Sequence, residues 1–328
     1  MPKNTDKTNE NLRTARTNKA DEFYTMYEDI EKEMSLYKNL FNGKIVYCPC
    51  DDYRCSNFYK FFKDKFKELG LKELIATSYS ETGGTLAIVD EFSVREQLMN
   101  NTFDMMGQEV MSLIKNVDVI VTNPPFSRSG EFMAMLLKTG KDFIILGNMN
   151  ALTYKGIFCN VVEGKLKYGG TIHSGDRKFY IPDDYPLDGT SCGVDSEGRR
   201  FIRVKGVRWF TTLDYEFPEM KKTVLTKKFN PDDYPKYDTY DAINVNTMAE
   251  IPVDYYEVMG VPITSFDKLN EYGYINFVDS DGNDILFEIV GQLNGGVNQE
   301  NYDFAKPIIN GKCKFKRLVV KRVKNNEK

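Results

Sequence analysis

Between residues 45 and 146 the chain alternates short apolar runs with segments whose apolar residues recur every three or four positions. That alternation limits the fold more than any other feature. Residues 45–48, 74–77, 86–89, 117–121 and 143–146 read as buried strands. Around them, Phe23, Tyr27, Ile30, Met34, Tyr37 and Phe41 share one helical face, and Phe58, Phe62, Phe66 and Leu69 share another. Asn42-Gly43 ends the first helix, Ser56 can cap the second and Gly70 stop it, and 94–99, 109–114 and 131–137 read as further helices. Apolar strands separated by amphipathic helices predict an α/β fold, a parallel sheet with helices on both faces. After about residue 160 Gly, Pro, Asp and Tyr become frequent, and the apolar segments (201–210, 242–245, 285–290, 315–320) are short and β-rich. The expected organisation is a polar arm over 1–20, a core over 21–160, and over 161–328 the rest of the sheet with an irregular β-rich region.

With 328 residues, 41% hydrophobic and 28% charged, the chain has the composition of a soluble globular protein. Its longest apolar runs, such as 143–146, are too short to span a membrane, so no membrane partner is expected. Residues 1–20 lack the apolar stretch of a secretory signal, and six cysteines without a paired framework fit a reducing, cytoplasmic setting. Cys48, Cys50 and Cys55 do not have zinc-ligand spacing and the only histidine, His173, is distant, so no metal is expected. The net charge of -4 does not suggest a polyanion as partner, but the charges are unevenly spread. Arg199, Arg200, Arg203, Lys205 and Arg208 are interleaved with Phe201 and Trp209, and 312–324 is also basic. These residues suit contact with nucleic-acid phosphates, and they suit an ordinary solvated strand face equally well.

The sharpest local signal is Asn123-Pro124-Pro125-Phe126, placed directly after the apolar run Val117-Asp118-Val119-Ile120-Val121-Thr122. In an open α/β sheet, loops at the carboxyl ends of strands line the ligand crevice. Two prolines fix the backbone and donate no amide hydrogens. An exocyclic aromatic amine is a poor nucleophile because its lone pair is delocalised into the ring. The Asn123 side-chain oxygen and the Pro124 carbonyl can each accept one amine hydrogen, which drives the nitrogen toward a tetrahedral geometry and frees the lone pair. Phe126 offers a flat surface for the ring, a stacking interaction of roughly 1–3 kcal/mol per base.

That loop resembles the catalytic signature of amino-methyltransferases acting on adenine. The likeness extends through Asp21-Glu22-Phe23-Tyr24-Thr25, Val46-Tyr47-Cys48-Pro49-Cys50-Asp51-Asp52 with Ser56-Asn57-Phe58, and Leu146-Gly147-Asn148 with Asn150-Ala151. It continues through Trp209-Phe210-Thr211-Thr212-Leu213, Tyr240-Asp241-Ala242-Ile243-Asn244-Val245, Met259-Gly260-Val261-Pro262-Ile263-Thr264 and Phe287-Glu288-Ile289-Val290-Gly291. Together these segments are similar to the EcoRI-type adenine-specific DNA methyltransferases.

The resemblance implies a Rossmann-like methyltransferase sheet, S-adenosylmethionine as methyl donor with S-adenosylhomocysteine as product, and duplex DNA as substrate. It implies that Phe23, Tyr24 and Thr25 lie against the methionine end of the cofactor and that Asp51 and Asp52 accept from its ammonium group. Asp104, nineteen residues before Asn123, matches the family acid expected near the cofactor's adenine. Residues 21–160 then form the cofactor and catalytic core, with target recognition in 161–328. Two departures stand out. Cys50-Asp51-Asp52-Tyr53-Arg54 replaces the usual glycine-rich turn, as in EcoRI-type enzymes, and no acidic residue follows the second strand, leaving Ser78, Tyr79 and Glu81 as ribose candidates. The expected activity is site-specific transfer of a methyl group to adenine N6 in DNA, with the base flipped from the duplex. A cognate restriction endonuclease would be a functional partner, not a stable complex. The alternatives are an RNA adenine or protein glutamine methyltransferase using the same loop, and a catalytically inactive DNA-binding relative.

Overall fold

The structure is a computed structural model that describes residues 23–79, 83–100, 103–173, 175–183, 185, 187, 191–216, 222–270, 272–293 and 303–323. The expected arm over 1–20 and Glu81 lie outside them. The described residues form two compact units, 23–148 with 168–216, and 149–167 with 222–323.

In the first unit, helix α1 (Tyr27–Met34) is followed by strand β1 (Ile45–Cys48), α2 (Asn57–Asp64), β2 (Glu73–Ser78), β3 (Gly84–Asp90), β4 (Val94–Met99), α3 (Gln108–Ile114), β5 (Val119–Thr122), α4 (Ser129–Thr139) and β6 (Asp142–Asn148). The chain returns as β7 (Lys167–Tyr168), β8 (Asp176–Tyr180), β9 (Cys192–Val194), β10 (Arg200–Lys205) and β11 (Val207–Thr211). One sheet has the order β4-β3-β2-β1-β5-β6-β11-β7, and a second, three-stranded sheet has the order β8-β10-β9. Strands β1, β2, β5 and β6 are parallel, with β2 on one side of β1 and β5 on the other. The chain therefore reverses its direction of progress at β1, and the loops leaving β1 and β5 flank a crevice.

The large sheet is mixed, not wholly parallel, because β3, β4 and β11 run antiparallel to their neighbours. Residues 94–99, expected as a helix, are strand β4. The turn before them decides this: the Asp90 carboxylate accepts from Phe92 N (2.8 Å), Ser93 N (2.8 Å) and Ser93 Oγ (2.9 Å). That closes a tight hairpin and sets β4 beside β3, overriding the helical preference of Arg, Glu, Gln, Leu and Met. The first helix is also shorter than its apolar stripe. It passes at Ser35 into a 3-10 segment over Ser35–Leu40, where Ser35 Oγ donates to Lys32 O at 2.7 Å.

Beneath the sheet, Trp209 is fully buried and meets Phe58 edge-on. Glu33 on α1 is buried too, accepting from Tyr37 Oη (3.0 Å), Gly170 N (2.9 Å), Thr171 N (2.9 Å) and Thr171 Oγ1. Four donors compensate the buried carboxylate and tie the 168–171 segment to the helix.

The second unit contains α5 (Lys155–Val162) and strands β12 (Ile243–Asn244), β13 (Met259–Pro262), β14 (Ile275–Val278), β15 (Asp284–Leu293), β16 (Asp303–Ala305), β17 (Ile308–Ile309), β18 (Lys312–Cys313) and β19 (Arg317–Arg322). Its sheet has the order β12-β13-β19-β15-β14, with β16 on β15 and β17–β18 as a separate hairpin. Among the described residues no helix is long and apolar enough to cross a membrane.

Candidate active site

Three segments converge where the sheet reverses. After β1, Asp51 donates its N–H to Thr77 O of β2 at 2.8 Å. Its carboxylate accepts from Ser56 Oγ and from Thr122 Oγ1, each at 2.6 Å. Ser56 in turn caps α2, accepting from Phe58 N at 3.0 Å and Tyr59 N at 3.3 Å. Asp51 thus joins the ends of β1 and β5 to the start of α2. Burial raises its carboxyl pKa to about 6 although both hydroxyl donors oppose the rise.

The neighbouring Asp52 behaves oppositely. Burial would raise its pKa, but Arg54, with Nε at 2.9 Å and Nη2 at 2.5 Å, outweighs burial and holds it below the usual range. Asp104 is likewise lowered, chiefly by the Arg128 guanidinium, whose Nη1 and Nη2 lie 3.0 and 3.4 Å from its oxygens.

At the end of β5, Asn123 Nδ2 donates to Phe23 O at 2.6 Å. A carbonyl can only accept, so this bond settles which side-chain atom of Asn123 is nitrogen. Asn123 Oδ1 is left buried with no hydrogen-bond partner among the described residues, and so is Thr25 Oγ1. Buried acceptors are rarely left in this state. Pro125 O accepts from Arg128 N at 3.0 Å, Ser129 Oγ donates to Phe126 O at 3.1 Å, and α4 starts there, so the loop is held from both ends.

A cavity of about 1140 Å³ opens between these segments, lined by Phe23, Tyr24, Thr25, Asp51, Asp52, Asp104, Asn123 and Pro125 among the sequence candidates. Ser78 and Tyr79 line it as well. Pro124 is buried, and neither it nor Phe126 is among the lining residues. The half-buried Phe126 ring lies in an aromatic cluster, 5.6 Å from Phe23 and 5.4 Å from Phe179. Sequence reasoning missed Arg128, Phe103, Met105 and Glu131, which also line the cavity. Arg128 had one usable signal: it stands two residues after the loop.

Nearly the whole chain finds a counterpart among known proteins. The family model described as adenine-specific methyltransferase EcoRI matches residues 11–96 and 85–323. The chain belongs to this family. The Type II methyltransferase M.EcoRI of Escherichia coli is 38% identical, over 96% of this chain and 97% of its own length. M.MpnI of Mycoplasma pneumoniae is 35% identical over 95% and 98%, and M.MgeORF184P of Mycoplasma genitalium is 32% identical over 94% and 97%. No solved structure matches significantly.

The basic candidates of this EcoRI-family chain do not form one surface. Alternation along β10 puts Phe201, Arg203 and Lys205 on one face, with Arg203 and Lys205 exposed, and Ile202 and Val204 on the buried side. Arg200, on that second face, donates to the carbonyls of Asp183 and Tyr185. Arg199 pairs with Asp195 (3.1 Å) and Glu197 (3.0 Å). Arg208 is only 3% exposed, and its guanidinium donates to Val207 O (2.8 Å) and His173 O (3.2 Å). The Arg208 guanidinium, expected as a phosphate contact, is thus internal and directed at backbone carbonyls. Opposite Arg203 in the β8–β10 ladder stands Lys178, which sequence reasoning did not select.

Proposed function

We propose that this protein is a site-specific DNA methyltransferase that transfers a methyl group from S-adenosylmethionine to adenine N6. The observation that carries the reading is Asn123: its amide is pinned through Nδ2 to Phe23 O, while its buried Oδ1 has no partner among the described residues. A preoriented, desolvated acceptor suits an amine hydrogen that must be polarised at the moment of reaction.

The cavity fits the cofactor on chemical grounds. Asp51 and Asp52 offer carboxylates for an ammonium group, the unpartnered Thr25 Oγ1 can donate to a carboxylate, and Asp104 with Phe103 and Met105 offers an acceptor beside apolar walls for an adenine. When bound, S-adenosylmethionine supplies an electrophilic methyl group. The strand order, with its reversal at β1, supports a Rossmann-like methyltransferase sheet.

The protein's own residues then do three things. Asn123 Oδ1 and the Pro124 carbonyl accept the two amine hydrogens and free the nitrogen lone pair. Phe126, braced by Phe23 and Phe179, gives the ring a wall. The buried position of the acceptor excludes water from the amine, whose surplus proton leaves afterwards to solvent. A base within a duplex cannot reach such a buried acceptor, so the target adenine is flipped out of the stack. Arg203 and Lys205 are available for the phosphates, and target readout is assigned to segments after residue 160. The Type II designation of the relatives supports a restriction–modification setting, in which a cognate endonuclease shares the DNA site without a stable complex.

The test is Asn123→Ala, assayed for methyl incorporation into duplex DNA. The turnover rate is expected to fall about 10²–10³-fold, the size of effect seen when one preorganised polar group is removed. Cofactor affinity should stay within a few-fold. Turnover within a few-fold of wild type would overturn the mechanism.

A further inference from the structure

The β17–β18 hairpin and the residues after it expose an arrangement that neither the core nor the active site explains. Phe315 is 77% exposed, and Lys312 and Lys314 beside it are exposed as well. No ion pair among the described residues includes either lysine. Asp238, the acid that holds the hairpin turn, accepts from Asn310 N (3.1 Å) and Gly311 N (2.8 Å).

The backbone that carries these side chains is held on both sides. Ile308 pairs with Cys313 and Ile309 with Lys312, across a turn in which Asn310 and Gly311 have φ of 50° and 70°. Two successive positive φ values are the tight hairpin geometry for which Asn-Gly is the favoured pair. Lys314 N donates to Pro307 O at 2.7 Å. Just beyond the ring, Lys316 Nζ donates to Thr153 Oγ1 at 2.9 Å and lies 5.5 Å from the centre of the Tyr154 ring. The buried Arg317 donates from Nη1 to Phe315 O at 3.4 Å. Burying an aromatic ring is favourable, so leaving one exposed on a braced segment, directly after two lysines that form no ion pair among the described residues, forgoes stability unless a partner covers it.

We infer that this segment is a DNA contact of the second unit, in which Lys312 and Lys314 hold backbone phosphates and Phe315 packs against bases at a disturbed step of the duplex. The inference rests on the DNA methyltransferase reading above. Charge complementarity selects the partner: a polyanion with flat apolar faces between its charges satisfies both the lysines and the ring. A backbone already held in place need not be ordered on contact, and an apolar wedge between base steps accompanies kinking of the duplex in other proteins.

Three variants of the full-length protein test it: Phe315→Ala, Phe315→Trp, and Lys312→Gln with Lys314→Gln. Duplex affinity is measured by fluorescence anisotropy across a salt series, beside methylation rate and cofactor affinity. Phe315→Ala should weaken duplex binding roughly ten-fold with the salt slope unchanged, within the range found for removing one stacking aromatic. Phe315→Trp should keep most of the affinity. The double lysine variant should lower the slope of log affinity against log salt by about 1.8, which is 0.9 for each lost phosphate contact. Cofactor affinity should not move in any of them. If wild type methylates duplex DNA while Phe315→Ala and the lysine variant bind it as wild type does, this inference is wrong and the methyltransferase reading stands. Loss of binding to anionic vesicles with duplex affinity unchanged would also overturn it, in favour of a lipid surface. If wild type methylates no duplex, the failure belongs to the methyltransferase reading itself.

Discussion

Asp51 is asked to do two things that conflict. It fastens β1, α2 and β5 together through Ser56 and Thr122, and it is proposed to face the cofactor's ammonium group. Its folded pKa of about 6 lies above the roughly 3.9 of an unfolded aspartate, so the folded state binds the extra proton between those values. Its contribution to stability is therefore fully present below about pH 4 and is lost as pH rises through 6. At neutral pH the buried charge costs on the order of 2–3 kcal/mol. Asp51→Asn removes that charge. Denaturation at pH 4.5 and 7 should show a flatter pH dependence than wild type and equal or greater stability at pH 7. Calorimetry should show cofactor affinity reduced at least ten-fold. A variant less stable than wild type at pH 7 would mean that the two hydroxyl bonds, not the charge, dominate this position. Asn123 could be selected from its motif alone. Its anchoring to Phe23 O could not, because that partner lies 100 residues away.

Elements differ in how far their own residues decide them. Strands β1, β5 and β6 and helix α2 follow from apolar runs and a serine cap, all of which are local. Strand β4 does not: its residues suit a helix, and the Asp90 turn with a neighbouring strand outweighs them. The crossing of the 168–171 segment over α1 is equally a matter of contact. A Cβ on Gly169 would lie 2.0 Å from Glu33 Oε1 and 2.6 Å from Trp209 Cβ, so the segment can pass only without a side chain there. Gly169→Ala is expected to destabilise the protein by about 1–3 kcal/mol, the range for overpacking a tight interior. Thermal unfolding would then shift down by several degrees. An unchanged melting temperature would show that the Glu33 clamp can move aside.

For the molecule as a whole, the question is where a chain of net charge -4 meets a polyanion. Local clusters, not the total, must provide the contact. In the first unit the exposed cations of β10 are Arg203 and Lys205, whereas Arg208 of the adjoining strand is internal. Arg203→Gln with Lys205→Gln should weaken specific and non-specific duplexes alike and lower the salt slope by about 1.8. Arg208→Gln should leave the slope unchanged and reduce stability, since it strips donors from the carbonyls of Val207 and His173. Titrations of both variants at several salt concentrations separate these outcomes. The reverse pattern would return Arg208 to the DNA interface.

By itself, the sequence determined what depends on near neighbours: the period of apolar residues, the Ser56 cap, and a rigid Asn-Pro-Pro-Phe loop at the end of an apolar strand. These are legible because side-chain period and cap chemistry act over one or two turns of chain. Only the tertiary structure decided the antiparallel pairing of β3, β4 and β11, the internal place of Arg208, and the pairing of Arg128 with Asp104 across the cavity. Each of those depends on which distant groups compete for the same hydrogen bonds and the same buried space, and composition and local spacing do not specify that competition.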